Sequence, residues 1–242
     1  ETKPEIPRQV HTLMGQYWLE LGQPQRAMAC FSRALAALER EPEMTAATAI
    51  TLGAEVQMDW AMALLRLGQR EPAMQRLSLA SAATNEATLA RLVSVSYRNN
   101  FWQEAIEIAR RAVALYPTSI PTLWNLAHLL AECWRMDEAL AVLAEAEAIG
   151  PVAGADALRA TVASRTGEVD RSLALYLKLA RSDASYASSA AMSSLYTDQM
   201  SAQAVADLHR ALHAHLGEGA RAKESFVRPP LTGRRLKLGI VD

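Results

Sequence analysis

The sequence predicts an all-helical protein built from repeated pairs of helices, and three observations lead to this prediction. Alanine, which has the highest helix propensity, supplies 46 of the 242 residues, whereas aromatic residues supply only 6%. A pattern of residue types recurs every 34 residues in the middle of the chain. Within each period, apolar residues are spaced three and four apart, as on one face of an α-helix. A β-sandwich is disfavoured by the same composition.

Two adjacent units carry the repeat most clearly. Residues 88–117 and 122–151 align without a gap, and a proline closes each unit, where it is expected to end a helix. Small residues such as Ala105 and Ala139 are expected where paired helices approach closely. In the second unit the apolar spacing predicts two helices, the first marked by Leu123, Leu126 and Leu130 and the second by Ala139, Leu143 and Ala146.

Two further units precede this pair, with Gly22 and Gly68 between their helices, where the left-handed conformation favours glycine. These glycines are 46 residues apart rather than 34. The excess lies in residues 39–54, and Thr45 is a predicted N-cap for a long first helix over about residues 45–67. Such a helix could protrude and serve as a homodimer contact.

A fifth, weaker unit covers residues 155–179, with Gly167 in its turn and no closing proline. These marks together resemble the tetratricopeptide repeat (TPR) family, although Asn100 and Trp134 stand where the turn glycine is usual. The resemblance covers about residues 8–182 and implies a TPR-type α-α superhelix, a solenoid of about five helix-turn-helix repeats with a continuous core. We therefore expect a TPR superhelix over residues 1–182.

The character of the sequence changes after residue 182. Residues 183–217 predict a connecting helical segment, in which Ser201 caps a helix that Gly217 ends. Residues 218–242 predict a linker rich in glycine and proline and then one buried strand, RRLKLGIVD. Because a lone strand cannot satisfy its own backbone hydrogen bonds, and because the first residue is Glu rather than Met, we expect a piece of a longer protein.

This order of segments is similar to that of bacterial O-linked N-acetylglucosamine transferases and SPINDLY-type proteins. The similar parts are the TPR units, the helix with Leu208-His209-Arg210-Ala211, the proline-containing linker and the strand at residues 234–242. The resemblance implies that the strand opens an α/β catalytic domain that uses a UDP-sugar or a related donor. Its catalytic residues are expected after residue 242, so this chain itself is expected to be catalytically silent and to need no cofactor.

The predicted site is a peptide-binding groove lined by the first helices of the repeats, as the TPR resemblance implies. Aromatic and arginine side chains dominate interface energies, and an asparagine amide can bind a peptide backbone of any sequence. The alternative is that these are ordinary solvated helix residues. The predicted groove residues are Met58, Arg66, Arg91, Tyr97, Arg98, Trp124, Asn125 and His128.

The predicted function is recognition of protein substrates or adaptors for such a glycosyltransferase, with the chain's own C-terminal catalytic domain as a further partner. The alternative is a free-standing TPR scaffold that assembles a protein complex. A chaperone adaptor that clamps a C-terminal carboxylate ranks third, because the groove has arginines but only one asparagine, Asn125.

Composition argues against several other classes. The net charge of −1 divides into −5 for residues 1–220 and +4 for residues 221–242, and the chain is not expected to bind nucleic acid. No apolar run is long enough for a membrane span. Cys30 and Cys133 predict small core residues in a reducing, cytoplasmic protein. The histidines at 209, 213 and 215 have spacing that a zinc site uses, but without a completing ligand nearby a docking helix is favoured.

Overall fold

The computed structural model describes residues 6–41 and 44–214, and all regular structure in these residues is helical. The predicted linker and strand at residues 218–242, and Gly217, lie outside the described residues. Four consecutive helix pairs come first: α1 (Arg8–Glu20) with α2 (Pro24–Leu38), α3 (Ala46–Arg66) with α4 (Arg70–Ala80), α5 (Glu86–Arg98) with α6 (Trp102–Leu115), and α7 (Ile120–Glu132) with α8 (Met136–Ile149). After them come α9 (Ala155–Thr166), α10 (Val169–Ala180), a short 3-10 helix (Ala184–Tyr186), α11 (Ala187–Ser194) and α12 (Ala202–Leu212).

The chain forms two compact units that divide between Thr166 and Gly167. The first unit contains α1 to α9, and the second contains α10 to α12. The division falls inside the fifth predicted repeat. The predicted limit of the TPR region at residue 182, and the domains drawn from it, stay predictions.

Four inter-helix turns share one geometry. In each, the N–H of the last turn residue donates to a carbonyl five residues earlier, as in a Schellman cap: Gln23 to Trp18 at 2.8 Å, Gln69 to Leu64 at 2.9 Å, Phe101 to Ser96 at 3.0 Å and Arg135 to Leu130 at 2.9 Å. The central residues Gly22, Gly68, Asn100 and Trp134 all have positive φ, between 61° and 72°. Asn100 and Trp134 therefore take the conformation that glycine takes in the other turns.

Trp134 is a bulky residue in this left-handed conformation, which disfavours a side chain with a large Cβ substituent. The residue is 69% exposed, and its ring lies under the Arg165 guanidinium, whose Cζ is 5.4 Å from the ring centroid. This cation–π contact helps to offset the backbone cost.

Side-chain caps mark the beginnings of several helices. Thr45 Oγ1 accepts from the Thr48 N–H at 3.3 Å, and α3 is 21 residues long, which confirms the predicted long helix. Ser201 Oγ accepts from the Ala204 N–H at 3.2 Å, which confirms the predicted start of α12. Each cap satisfies one of the free N–H groups of a first helical turn.

Small residues occupy the contacts within the helix pairs. Ala27, Ala73, Ala105 and Ala139 are all fully buried, as predicted from their positions in the repeat. Gly15 is equally constrained, because a Cβ added there would lie 2.4 Å from the Phe31 ring. The pairs are therefore held at distances that a larger side chain would increase.

Candidate functional site

The first helices of the repeats lie side by side in the first unit. α1 contacts α3, α3 contacts α5, α5 contacts α7 and α7 contacts α9. Each of the first four is backed by the second helix of its own repeat, so the first helices share one face. This face is where the sequence places its candidate residues.

A pocket of about 280 Å³ opens between α5 and α7. Its walls combine apolar and polar side chains. Four of the eight predicted groove residues line it, namely Tyr97, Arg98, Asn125 and His128. The remaining lining residues are Ala90, Val93, Ser94, Leu129 and Glu132. A smaller cleft, lined also by Ala109 and Ala112 of α6, continues past Asn125 towards Glu86 and Thr122.

Three polar side chains in the pocket have no internal hydrogen-bond partner. Arg98, Asn125 and His128 are exposed, and none makes a hydrogen bond or ion pair through its side chain to another described residue. The His128 ring contacts only the Trp124 ring, at a centroid distance of 6.0 Å. A cation, an amide and an imidazole are thus available to a ligand within one pocket.

Glu132, on the rim of the pocket, accepts hydrogen bonds from two side chains, and a third hydrogen bond fixes the carbonyl of its neighbour Ala131. Arg165 donates from Nη2 to Glu132 Oε1 at 3.0 Å and from Nη1 to the Ala131 carbonyl at 2.7 Å. The Tyr97 hydroxyl donates to Glu132 Oε2 at 3.3 Å. Burial, and then the adjacent Glu132 carboxylate, raise the pKa of Tyr97 above its usual value. Tyr97 is therefore a neutral donor and part of a fixed wall.

Arg91 takes part in a different network on the same face. Its Nη2 lies 2.6 Å from Asp59 Oδ1, and Gln16 donates to Asp59 Oδ2 at 2.7 Å. Asp59 is only 6% exposed, so these two donors compensate its buried charge. The network joins α1, α3 and α5, and it occupies the Arg91 guanidinium in part.

The structure corrects one of the predicted groove residues. Met58 is fully buried in the core and cannot contact a ligand on the surface. Arg66 is exposed, and its guanidinium donates one hydrogen bond to the Leu19 carbonyl at the end of α1, so it links two repeats. Its role in the groove stays a prediction.

Trp124 lies beside the pocket and not in its wall. Its ring is half-buried against the core and packs on Gly154, where an added Cβ would come within 3.1 Å of the ring. Gly154 also has a φ of +87°, so both the contact with the Trp124 ring and the backbone conformation favour glycine at this position. Trp124 thus contributes to packing around the site.

The sequence prediction missed Ser94 and Arg165. Ser94 lines the pocket and precedes His128 by 34 residues, so the repeat offset would have identified it. Arg165 holds the rim and stands two residues before a turn glycine, the same position as Arg66. The 34-residue offset identifies Ser94, and the distance from the turn glycine identifies Arg165.

Other predicted features have structural roles. His209 Nε2 lies 2.9 Å from the Ala191 carbonyl and 3.1 Å from Ser194 Oγ, so this histidine joins α12 to α11 within the second unit. In the part of the chain that the structure describes, no three potential ligands are arranged to hold a metal ion.

Cys30 is buried, and burial raises the pKa of the half-buried Cys133 thiol. None of the helices in residues 6–41 and 44–214 has the length and apolarity of a membrane span.

Comparisons with known proteins identify the fold. A TPR protein from Cytophaga hutchinsonii, solved as its C-terminal part, superposes with a TM-score of 0.58 at 14% identity, covering 88% of each chain. A TPR protein from Parabacteroides merdae gives 0.57 at 14% identity, covering 89% of each chain. PilF of Pseudomonas aeruginosa gives 0.52 at 15% identity, covering 89% of this chain and 93% of its own. No family model and no curated protein sequence matches. The chain has the fold of a TPR-type α-α solenoid.

Proposed function

We propose that the pocket between α5 and α7 binds an extended segment of another protein. The observation that supports this is the set of three polar side chains, Arg98, Asn125 and His128, which lie in one pocket without internal partners. An asparagine amide can pair with a peptide unit through both its donor and its acceptor. The apolar walls at Val93 and Leu129 offer a place for one side chain of the bound segment.

The rim supports this role because it is already fixed before a ligand arrives. Glu132 is held by Arg165 and Tyr97, so the pocket wall loses little conformational entropy on binding. The free groups lie on two adjacent helices rather than on loops. The pocket therefore combines rigid support with unused hydrogen-bonding capacity.

We further propose that this recognition serves a glycosyltransferase. The support is the resemblance of the sequence around residues 196–242 to O-linked N-acetylglucosamine transferases and SPINDLY-type proteins. In this proposal the segment bound in the pocket belongs to a protein substrate or adaptor, and the chain's own C-terminal catalytic domain uses the UDP-sugar donor. The setting is the cytoplasm, in keeping with the free thiols of Cys30 and Cys133.

The alternative function is a free-standing scaffold that uses the same pocket to assemble a protein complex. Two observations separate the proposals: the open reading frame after Asp242, and hydrolysis of a UDP-sugar by the full-length protein. A reading frame that stops, or that continues without an α/β glycosyltransferase domain, would leave the scaffold as the function. The peptide-binding proposal does not depend on this outcome.

A synthetic peptide array tests the pocket directly. We expect the double variant R98A/N125A to lose at least about tenfold in array binding, since it removes two of the three free polar groups. Trp124 is left intact, because truncation of its packed ring would also disturb Gly154 and the core. Circular dichroism checks that the helix content is unchanged.

The matched control is R33A/Q25A, which removes one exposed arginine and one exposed amide from α2. We expect this control to bind as the wild type does. Equal binding by R98A/N125A and the wild type would place recognition elsewhere. A wild type that captures no peptide above background would contradict the proposal altogether.

A further inference from the structure

Three of the repeats carry an arginine at the same place, two residues before the turn residue that has positive φ. These arginines are Arg66, Arg98 and Arg165. Each stands near the end of the first helix of its repeat, so the repeat pattern predicts the same surroundings for all three. In the structure, Arg98 differs from the other two.

Arg66 and Arg165 each contact the end of the first helix of the preceding repeat. The Arg66 guanidinium donates to the Leu19 carbonyl, and Arg165 Nη1 donates to the Ala131 carbonyl at 2.7 Å. Leu19 and Ala131 are equivalent, because each stands three residues before the turn residue with positive φ. A guanidinium in this place therefore stabilises the C-terminal end of the neighbouring helix, where positive charge is favoured.

Arg98 makes no such contact. The equivalent acceptor would be the Leu65 carbonyl, but Arg98 has neither a hydrogen bond nor an ion pair with another described residue. It is exposed and lines the pocket between α5 and α7. The donor groups of its guanidinium are therefore all available to a ligand.

The charges of the residues that line the pocket leave it positive. Glu132 is paired with Arg165, whose Nη2 lies 3.0 Å from Glu132 Oε1, and its other oxygen accepts from the Tyr97 hydroxyl at 3.3 Å. Tyr97 has a raised pKa and stays neutral, and His128 can add only positive charge. The negative charge of Glu132 is thus compensated, whereas the positive charge of Arg98 has no counter-ion among the described residues.

A carboxylate is the ligand group that matches this pocket. A guanidinium presents its N–H groups as a planar fork, which can bind both oxygens of one carboxylate. Asn125, His128 and Ser94 line the same pocket and can donate further hydrogen bonds. A basic side chain would be repelled by Arg98, and an apolar one would remove water from the guanidinium without replacing its hydrogen bonds.

The size and the apolar lining of the pocket fit the rest of an acidic side chain. The volume of about 280 Å³ is just below the roughly 300 Å³ at which small-molecule sites begin, so it suits one side chain with its peptide unit. Val93 and Leu129 offer apolar surface to the methylene groups of that side chain. The smaller cleft past Asn125 leaves room for the segment to continue beyond the pocket.

We propose that the pocket between α5 and α7 selects an extended segment with an internal glutamate or aspartate, and that Arg98 determines this specificity. The inference rests on the proposed function, because it names the side chain that the bound segment must contain. The carboxylate of the segment takes the place at Arg98 that a backbone carbonyl takes at Arg66 and Arg165. The partner class is therefore proteins with an acidic residue in an extended segment.

Positional libraries of short peptides with amidated C-termini test this selection. In each library one position is fixed as Glu, Gln or Lys, and the other positions are mixed. We expect the wild type to capture Glu about tenfold better than Gln at the preferred position, and Lys least of all, because a charge-assisted hydrogen bond is lost with Gln. R98E is expected to prefer Lys instead, and R98K to keep a weaker preference for Glu.

The matched control is R33E, which reverses the charge of an exposed arginine on α2 and is expected to keep the preference for Glu. Circular dichroism checks that each variant is folded. A wild type that captures peptides without preferring Glu, or a preference for Glu that persists in R98E, would overturn this inference and leave the proposed function in place. Capture of no peptide at all would contradict the proposed function itself.

Libraries with free C-termini identify the source of the carboxylate. We expect the preference for an internal Glu to be the same with free and with amidated C-termini. Strong capture of free C-termini that does not depend on an internal Glu would assign the carboxylate to a chain end and overturn the inference.

Discussion

The pocket between α5 and α7 and the outer side of α1, with Leu13 and Tyr17, are two surfaces of the same unit that differ in chemistry. The pocket offers unpaired polar groups, from Arg98, Asn125 and His128. The outer side of α1 carries large apolar side chains, among them Leu13, which is 64% exposed. The first surface is suited to hydrogen bonding with an extended segment, and the second has little capacity for hydrogen bonds.

The difference follows from the place of each helix in the stack. α5 has a first-helix neighbour on each side, α3 and α7, so its apolar positions are consumed in packing and its polar positions remain available. Among the described helices, α1 has such a neighbour on one side only, so the apolar positions on its other side remain uncovered. The exposed chemistry of a first helix therefore depends on how many neighbours it has.

The largest expected effects are on the free energy of unfolding. They come from placing a larger side chain between the helices of one region while the other region is left unchanged. We expect G15A to destabilise the α1–α2 pair by about 1–3 kcal/mol, because the new methyl group meets the buried Phe31 ring. Alanine's helix propensity recovers at most about 1 kcal/mol of this loss. Amide hydrogen exchange should show faster exchange in α1 and α2 while α7 and α8 are unchanged.

A139L is the matched variant for the other region. Ala139 is fully buried in the α7–α8 pair, so leucine there should cost a similar free energy of unfolding and accelerate exchange in α7 and α8 instead. If both variants accelerated exchange throughout the first unit, its repeats would unfold together and the two surfaces could not be separated in this way.

A smaller effect is expected in the turn between α5 and α6. Asn100 has a φ of +61°, which asparagine tolerates through local hydrogen bonding and alanine does not. We expect N100A to lose about 1 kcal/mol of stability and N100G to lose none, as measured by thermal unfolding. Equal stabilities of N100A and N100G would contradict the assigned turn conformation.

The smallest effect concerns pH and is expected only on the pocket side. Hydrogen bonds from Ser119 and Thr122 lower the pKa of Glu86 at the start of α5. A carboxylate with a lowered folded-state pKa stabilises the fold above its unfolded-state pKa, and this contribution is lost as the pH falls through the folded-state value. E86Q should therefore be less stable than the wild type at neutral pH, and the difference should shrink below about pH 4. A difference that is independent of pH would contradict this role.

Local features of the fold were accessible from the sequence. The caps at Thr45 and Ser201 are short-range contacts between a side chain and the backbone three residues later, so the local sequence is sufficient to predict them. The fully buried Ala105 and Ala139 follow from the repeat period. The backbone conformation of the turns at Asn100 and Trp134 was harder to predict from the sequence. A residue other than glycine can adopt positive φ when the surrounding hydrogen bonds require it.

The candidate site was only partly accessible. The sequence placed Tyr97, Arg98, Asn125 and His128 together, and the structure brings these four into one pocket. The sequence did not distinguish Arg98 from Arg66, because both stand two residues before a turn residue with positive φ. Arg66 reaches the Leu19 carbonyl of the preceding repeat, whereas Arg98 has no such contact among the described residues.

The sequence by itself determined the helix pairs, their repeat phase and the residues at their closest contacts, because periodic apolar spacing, caps and turn residues act over a few residues. Only the tertiary structure decided which equivalent positions are exposed. Val10 is on the surface and Val56 is buried, although both are valines at the same place in their repeats. The physical reason is that burial depends on whether a neighbouring repeat removes the side chain from water, and this is a property of the stack rather than of the local sequence.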